Sequence, residues 1–330
     1  MNLDKIQSVL LNEPKFRLAQ IEKLIFEDLI ENWQEATTLP LSLRESLNEK
    51  FPLSFINKTN VSEDKKTIKA LLTLEDGAKI ETVLMRFKDR NTVCVSSQVG
   101  CPLGCLFCAT GQMGYKRNLT TSEIITQVLH FARLLKPEKQ KITNVVFMGM
   151  GEPFLNYENV LASINILNQK MGLGARRFSI STCGITEGIE KLSDEPMENN
   201  LAISLHAPND ELRTRLMPVN KKYPLTELLK SVNNYIKKTR RKVMFEYVLL
   251  GGVNDSVSQA VALAKLMRHP LYHLNLIRYN ETGVFKSSKP GCVKVFKKVL
   301  EKEGISFTER YRFGTEIKAA CGQLDQGLKT

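Results

Sequence analysis

The sequence predicts an α/β protein: a partial barrel of six βα units behind a small N-terminal helical domain. Three observations predict it. Six apolar strand-like runs follow residue 91, and helical patterns separate them. A hairpin signal precedes them, with two β-prone runs around Asp76-Gly77. Residues 1–56 carry apolar side chains at helical spacing instead.

Each element follows in order. Leu18, Ile21, Ile25 and Leu29 mark one helix of the head, and Leu43 with Leu47 marks a shorter one after Pro40. The head is too short for a large core of its own and reads as an accessory domain over 1–60. The hairpin extension covers 61–90, and the barrel core with a C-terminal segment covers 91–330. The strand runs are TVCVSS (92–97), NVVFMG (144–149), RFSIST (177–182), LAISLH (201–206), VMFEYVLL (243–250) and YHLNLIRY (272–279). Thr120 and Glu123 match a capping box ahead of IITQVLHFARLL. Leu225 to Ile236, Ser256 to Met267 and Val293 to Leu300 mark further helices. Strict alternation argues a parallel sheet with right-handed crossovers. Six units are fewer than the eight that close a barrel.

Composition narrows the classes. With 330 residues and 42% hydrophobic side chains the chain buries a full core, which excludes wholesale disorder. No apolar run reaches 18 residues, so no membrane span is expected. The N-terminus lacks the continuous apolar stretch of a secretory signal, which predicts a cytoplasmic protein. The net charge is +12, unevenly placed. Residues 1–60 hold seven Lys and Arg against nine Asp and Glu, so the remainder carries +14. A polyanion such as nucleic acid is the natural partner of such a body. Simple solubility is the bland alternative.

Parallel βα architecture gathers ligands at the carboxyl ends of its strands. The polar and sulfur-bearing residues fall there: Cys101 to Cys108, Gly149 to Pro153, Ser181 to Gly184, and His206 to Asn209. Four of the seven cysteines crowd into fifteen residues, which in a reducing compartment points to metal or catalysis rather than disulfides. Cys101, Cys105 and Cys108 form C-x3-C-x2-C. Thiolates are soft ligands for zinc or iron–sulfur. Three thiolates in one loop can hold a 4Fe–4S cube and leave one iron open to S-adenosylmethionine (SAM). The alternative is a zinc knuckle with Cys94 as fourth ligand, in a non-catalytic RNA-binding protein.

The cysteine spacing after a first barrel strand, with GMGEP after the second, resembles the radical SAM superfamily. The resemblance narrows with CVSSQVGC at 94–101, CATG at 108–111, FSISTCG at 178–184, SLHAPND at 204–210, LMPVN at 216–220, GVND at 252–255, NLIRYN at 275–280 and AACGQL at 319–324. In this order they look like the RlmN/Cfr family of RNA adenosine methyltransferases, over nearly the whole chain.

The resemblance implies one 4Fe–4S cluster on Cys101, Cys105 and Cys108, and two SAM molecules per turnover. Cys321 takes a methyl group from the first SAM as a thiolate. The second SAM, cleaved by the cluster's electron, yields a 5′-deoxyadenosyl radical that removes a hydrogen from that methyl. The carbon radical adds to the adenine, and Cys94 then attacks the Cys321 sulfur to release the product through a transient disulfide. Glu81 matches the proton acceptor. From its residues alone an exposed hairpin glutamate stays open, although alternation sets it with Val83, Met85 and Phe87 on an apolar face. SAM contacts carried over are Gly151, Glu152, Ser181, Ser204, Leu205, His206 and Asn280. Cys183 and Cys292 lack motif support and read as structural. Implied partners are 23S rRNA, for the RlmN branch also the tRNA adenosine beside the anticodon, and an electron donor such as flavodoxin or ferredoxin. A monomer is expected. GMGEP and FEYV point to methylation at C2. YHLNLIRYN, FSISTCG and RFGTEI lean to the C8 branch, which confers antibiotic resistance.

Overall fold

A computed structural model describes residues 6, 9–10, 13–53, 56–310 and 314–325. Arg312 and Phe313 of the RFGTEI stretch lie outside these residues, as does the start of the head. The described strands build one ten-stranded sheet and one two-stranded ribbon. In chain order they are β1 (Ile56–Val61), β2 (Thr67–Thr73), β3 (Lys79–Phe87), β4 (Arg90–Cys94), β5 (Gln98–Gly100), β6 (Tyr115–Asn118), β7 (Asn144–Phe147), β8 (Phe178–Thr182), β9 (Asn200–Ser204), β10 (Val243–Leu249), β11 (Tyr272–Arg278) and β12 (Phe307–Glu309).

The large sheet runs β1-β2-β3-β4-β7-β8-β9-β10-β11-β12. Its first four strands pair antiparallel, and from β4 onward every pairing is parallel. The six expected barrel strands are therefore β4 and β7 to β11, in sequence order. The ends β1 and β12 are additions. INKTNV is too polar, and FTE too short, to carry a strand signal. β1 pairs with β2, so the antiparallel half of the sheet begins at Ile56.

The predicted helices are present. Thr120 and Glu123 close a reciprocal capping box: the Thr120 hydroxyl accepts from the Glu123 N–H at 3.2 Å, and Glu123 Oε2 accepts from the Thr120 N–H at 2.9 Å. The helix behind it, α4 (Thr121–Leu135), buries Ile124, Val128 and Phe131; three shorter helices precede it, α1 (Phe16–Phe26), α2 (Leu41–Lys50) and α3 (Ala109–Gln112). In the head, Ile21 and Ile25 are buried as expected, while Leu18 faces solvent and Leu29 lies beyond the end of α1. Trp33, wholly buried, donates from Nε1 to the Phe51 carbonyl at 2.7 Å and locks the head's two helices together.

β3 departs from simple alternation. It is buried on both faces from Ile80 to Leu84, while Phe87 at its end is exposed. Among the described residues no helix is long and apolar enough to cross a membrane.

Candidate active site

The carboxyl ends of the parallel strands surround one cavity of about 980 Å³, counted to its open mouth. Cys101, Cys105 and Cys108 line one wall. They sit on the loop that leaves β5, where Gly100 approaches the Gly114 carbonyl so closely that any Cβ would overlap it. Burial pushes the Cys101 and Cys108 thiols up, and the charged neighbours of Cys101, namely Cys183, Glu152 and Cys108, push the same way. Three soft donors around an open cavity, with Cys101 and Cys108 costly to ionise alone, fit ligands that await a metal centre's positive charge. These residues would hold a 4Fe–4S cluster.

Beside them lies the glycine turn after β7. Gly151 has φ +99°, and a Cβ there would meet Gln98 Cβ at 2.6 Å. The turn thereby brings its backbone to the cavity wall. Glu152 is buried, and both its oxygens accept backbone N–H groups, from Phe154 at 3.1 Å and from Cys183 at 2.7 Å. Burial pushes its carboxyl up. Ser181 is the penultimate residue of β8 and Ser204 ends β9, their hydroxyls 3.4 Å apart at the cavity. His206 follows with φ +57°, and its Nδ1 accepts from the Val248 N–H at 3.1 Å. That bond leaves the proton on Nε2. Burial, with Arg213 nearby, holds the ring neutral, with a pKa lowered to about 3.

Two carried-over contacts are placed differently. Leu205 is fully buried and does not face the cavity; its carbonyl accepts from Arg213 Nε. Asn280 reaches the site through the Cys321 carbonyl, to which its amide donates at 3.3 Å.

Cys321 lies on the C-terminal segment that closes the mouth. Hydrogen bonds from several elements hold this segment. The Ala109 N–H donates to the Gly322 carbonyl and the Thr110 hydroxyl to the Leu324 carbonyl. Asn280 binds Cys321 as above. The Asp325 N–H donates to Glu81 Oε2 at 2.9 Å. Cys321 is open to solvent at the mouth, yet the surrounding protein mass pushes its thiol up, Arg310 pulls it down and Glu246 pushes it up.

Cys94 ends β4, buried beneath this segment. Its thiol is pushed up to about 12 by burial and by Cys321, and Arg310 draws it down. Two cysteines 227 positions apart are thus electrostatic neighbours, with one guanidinium acting on both.

Glu81 is 2% exposed, so the exposed-glutamate alternative fails. Nor is it an isolated acid on an apolar face. Lys69, across on β2, pairs with it at 2.8 Å and also reaches the Lys318 carbonyl at 3.3 Å. Sequence reading missed Lys69, Cys183, Glu246 and Arg310. Cys183 lines the cavity, and its neighbour Cys105, together with burial, pushes its thiol up. Its position directly after a barrel strand was the available signal. Glu246 was marked by being a lone acid inside an apolar run.

Comparisons agree with this geometry. Residues 95–264 match the Radical SAM superfamily model. The chain is 44% identical to the probable dual-specificity RNA methyltransferase RlmN of Dictyoglomus thermophilum, over 98% of this chain and 94% of that one. It is 46% identical to the protein of the same name from Thermotoga maritima, over 94% and 91%. It is 44% identical to the ribosomal RNA large subunit methyltransferase N of Nitrosopumilus maritimus, over 94% and 92%. The crystal structure of a radical SAM methyltransferase from Sphaerobacter thermophilus superposes with a TM-score of 0.94 at 43% identity, covering 99% of this chain and 98% of that one. The chain belongs to the radical SAM superfamily and, within it, to the RlmN-type RNA methyltransferases, a membership that implies a 4Fe–4S cluster and the use of SAM.

Proposed function

We propose that this enzyme methylates C2 of an adenosine base in RNA, by way of a methyl group carried on Cys321. The observation that carries the reading is that Cys321 lines the cavity together with Cys101, Cys105 and Cys108, while Cys94 is buried near enough for the two thiols to act on each other's charge. A zinc knuckle on Cys94, Cys101, Cys105 and Cys108 has no use for Cys321 there. Large-subunit ribosomal RNA is the main substrate, and the dual specificity named for the relatives supports tRNA as a second. Residues 1–60 form the RNA-binding head, 61–90 the hairpin extension and 91–330 the catalytic core. The +14 body holds folded RNA through its phosphates and shape.

The residues divide the work. Cys101, Cys105 and Cys108 would hold the cluster, which would supply the electron for SAM cleavage, two SAM molecules being used per turnover, with a flavodoxin- or ferredoxin-type protein as the electron-donating partner. Gly151, Glu152, Ser181, Ser204 and His206 orient SAM, His206 without proton transfer, and Asn280 and Leu205 act behind them. Cys321 accepts the methyl group as a nucleophile and presents it to the base, which must leave its stack to reach it. Glu81 takes the ring proton; to do so it must first shed the Asp325 N–H. Cys94 attacks the Cys321 sulfur and frees the product.

The test is mass mapping of the methyl position. Ribosomal RNA and tRNA lacking the modification are treated with reconstituted enzyme, SAM and reductant, then digested to nucleosides. 2-Methyladenosine is expected from both. 8-Methyladenosine would overturn the regiochemistry, and the absence of any methylated adenosine the whole reading.

A further inference from the structure

β10 is buried along nearly its whole length, and Glu246 is the one acid within it. The residue is 3% exposed and lines the cavity together with Cys321 and Arg310. Its two oxygens are treated unequally. Oε1 accepts from Asn275 Nδ2 at 2.9 Å and from Arg310 Nη2 at 2.7 Å. Oε2 is buried and has no hydrogen-bond partner among the described residues. An unsatisfied buried acceptor is destabilising, more so when charged. Such a cost marks a group kept for a donor that arrives during function.

The groups facing Glu246 identify that donor. On the flanking strands its register partners are Ser204, whose hydroxyl faces Ser181, and Asn275, already bound to Oε1. From beyond β12 comes Arg310, held to the sheet by its N–H on the Leu276 carbonyl at 2.9 Å. From the C-terminal segment comes Cys321, whose thiol feels the Glu246 charge. Cys94 lies next, against Arg310 and Cys321. Two of these, Cys321 and Cys94, carry protons that the chemistry must remove; of the two, Cys321 shares the cavity lining with Glu246 and feels its charge, while Cys94 does not line the cavity.

We propose that Glu246 is the base that takes the Cys321 thiol proton, directly or through one water, when that cysteine acquires its methyl group. The inference rests on Cys321 being the methyl carrier. The S–H bond breaks and its proton passes to Oε2. The sulfur electron pair forms the new bond to the SAM methyl carbon, and the sulfonium–carbon bond breaks to release S-adenosylhomocysteine. The neutral acid then returns its proton to solvent at the mouth. Arg310 steadies both anions, first the carboxylate and then the thiolate. Burial raises the Glu246 carboxyl above the usual carboxylate range, as suits a base working near neutrality.

The experiment measures methylation of Cys321 in cluster-loaded enzyme given SAM without RNA, by acid quench and peptide mass spectrometry. Glu246→Gln keeps an acceptor for Arg310 and Asn275 and removes the base. It is expected to methylate Cys321 at least tenfold more slowly at pH 7, and to regain rate as pH rises and hydroxide takes over. The wild-type rate should fall as pH drops through the raised Glu246 pKa. Glu246→Asp should recover part of the rate, with iron content and melting temperature matching wild type in both variants. Glu246→Gln at the wild-type rate across pH would overturn the assignment while leaving the methyl carrier intact. Wild-type enzyme with no methylated Cys321 would overturn the carrier, and Glu246 with it.

Discussion

Cys101, Cys105, Cys108 and Cys321 line one cavity, with Cys94 buried near Cys321, and the charges around Cys101 differ from those around Cys94 and Cys321. Cys101, Cys105 and Cys108 come from eight residues of one loop, and the charged groups acting on Cys101 are sulfur and carboxyl groups that all push it up. Cys94 and Cys321 come from opposite ends of the core, and Arg310 draws both down. No cation is among the groups acting on Cys101, although Arg213 acts on Cys105, whereas Arg310 acts on both thiols of the proposed methyl carrier and its resolving partner. On the proposed roles, nearness in sequence would serve a rigid ligand set, and nearness through topology thiols that must meet and part.

The comparison breaks most completely at the loop. Cys105→Ala leaves two donors, so iron content, cluster absorbance and SAM cleavage should all fall to background. A variant that kept about four irons per chain would remove Cys105 from the ligand set.

The next largest effect lies under the Cys321 segment. Lys69 and Glu81 are 7% and 2% exposed, so removing one partner strands a buried charge. Lys69→Met should cost about 3–5 kcal/mol in urea unfolding. Lys69→Met combined with Glu81→Gln should recover most of that loss. A single variant within about 0.5 kcal/mol of wild type would mean the pair does not hold the hairpin to the C-terminal segment.

Arg310→Gln sharpens the contrast with the smallest change. Losing the guanidinium should raise Cys94 and Cys321 and leave the cluster in place. Alkylation of Cys321 at pH 8 should slow on the order of tenfold, as the thiol is pushed further up. Equal slowing at the loop cysteines of cluster-free protein would contradict a local role.

Much of this was legible in the sequence, for reasons that differ by residue. The six barrel strands declare themselves because parallel strands buried on both faces need unbroken apolar runs. The loop cysteines are legible because their geometry is local. β1 and β12 were not, since sheet edges tolerate polar or very short segments. Glu246 obeyed the logic applied to Glu81, an acid among apolar neighbours. Yet burial on both faces of β10 gave no alternation to set it apart. Lys69 and Arg310 left no local signal, because their partners lie across the sheet and beyond it.

The central claim is that Cys321 carries the carbon and Cys94 releases it. Denaturing gel analysis of RNA-bound protein after one turnover tests it directly. Cys94→Ala should still methylate Cys321 and attack the base, and should accumulate a protein–RNA species that survives denaturation. Cys321→Ala should form neither methylated protein nor adduct. Normal turnover by Cys94→Ala, or an adduct formed by Cys321→Ala, would contradict the account.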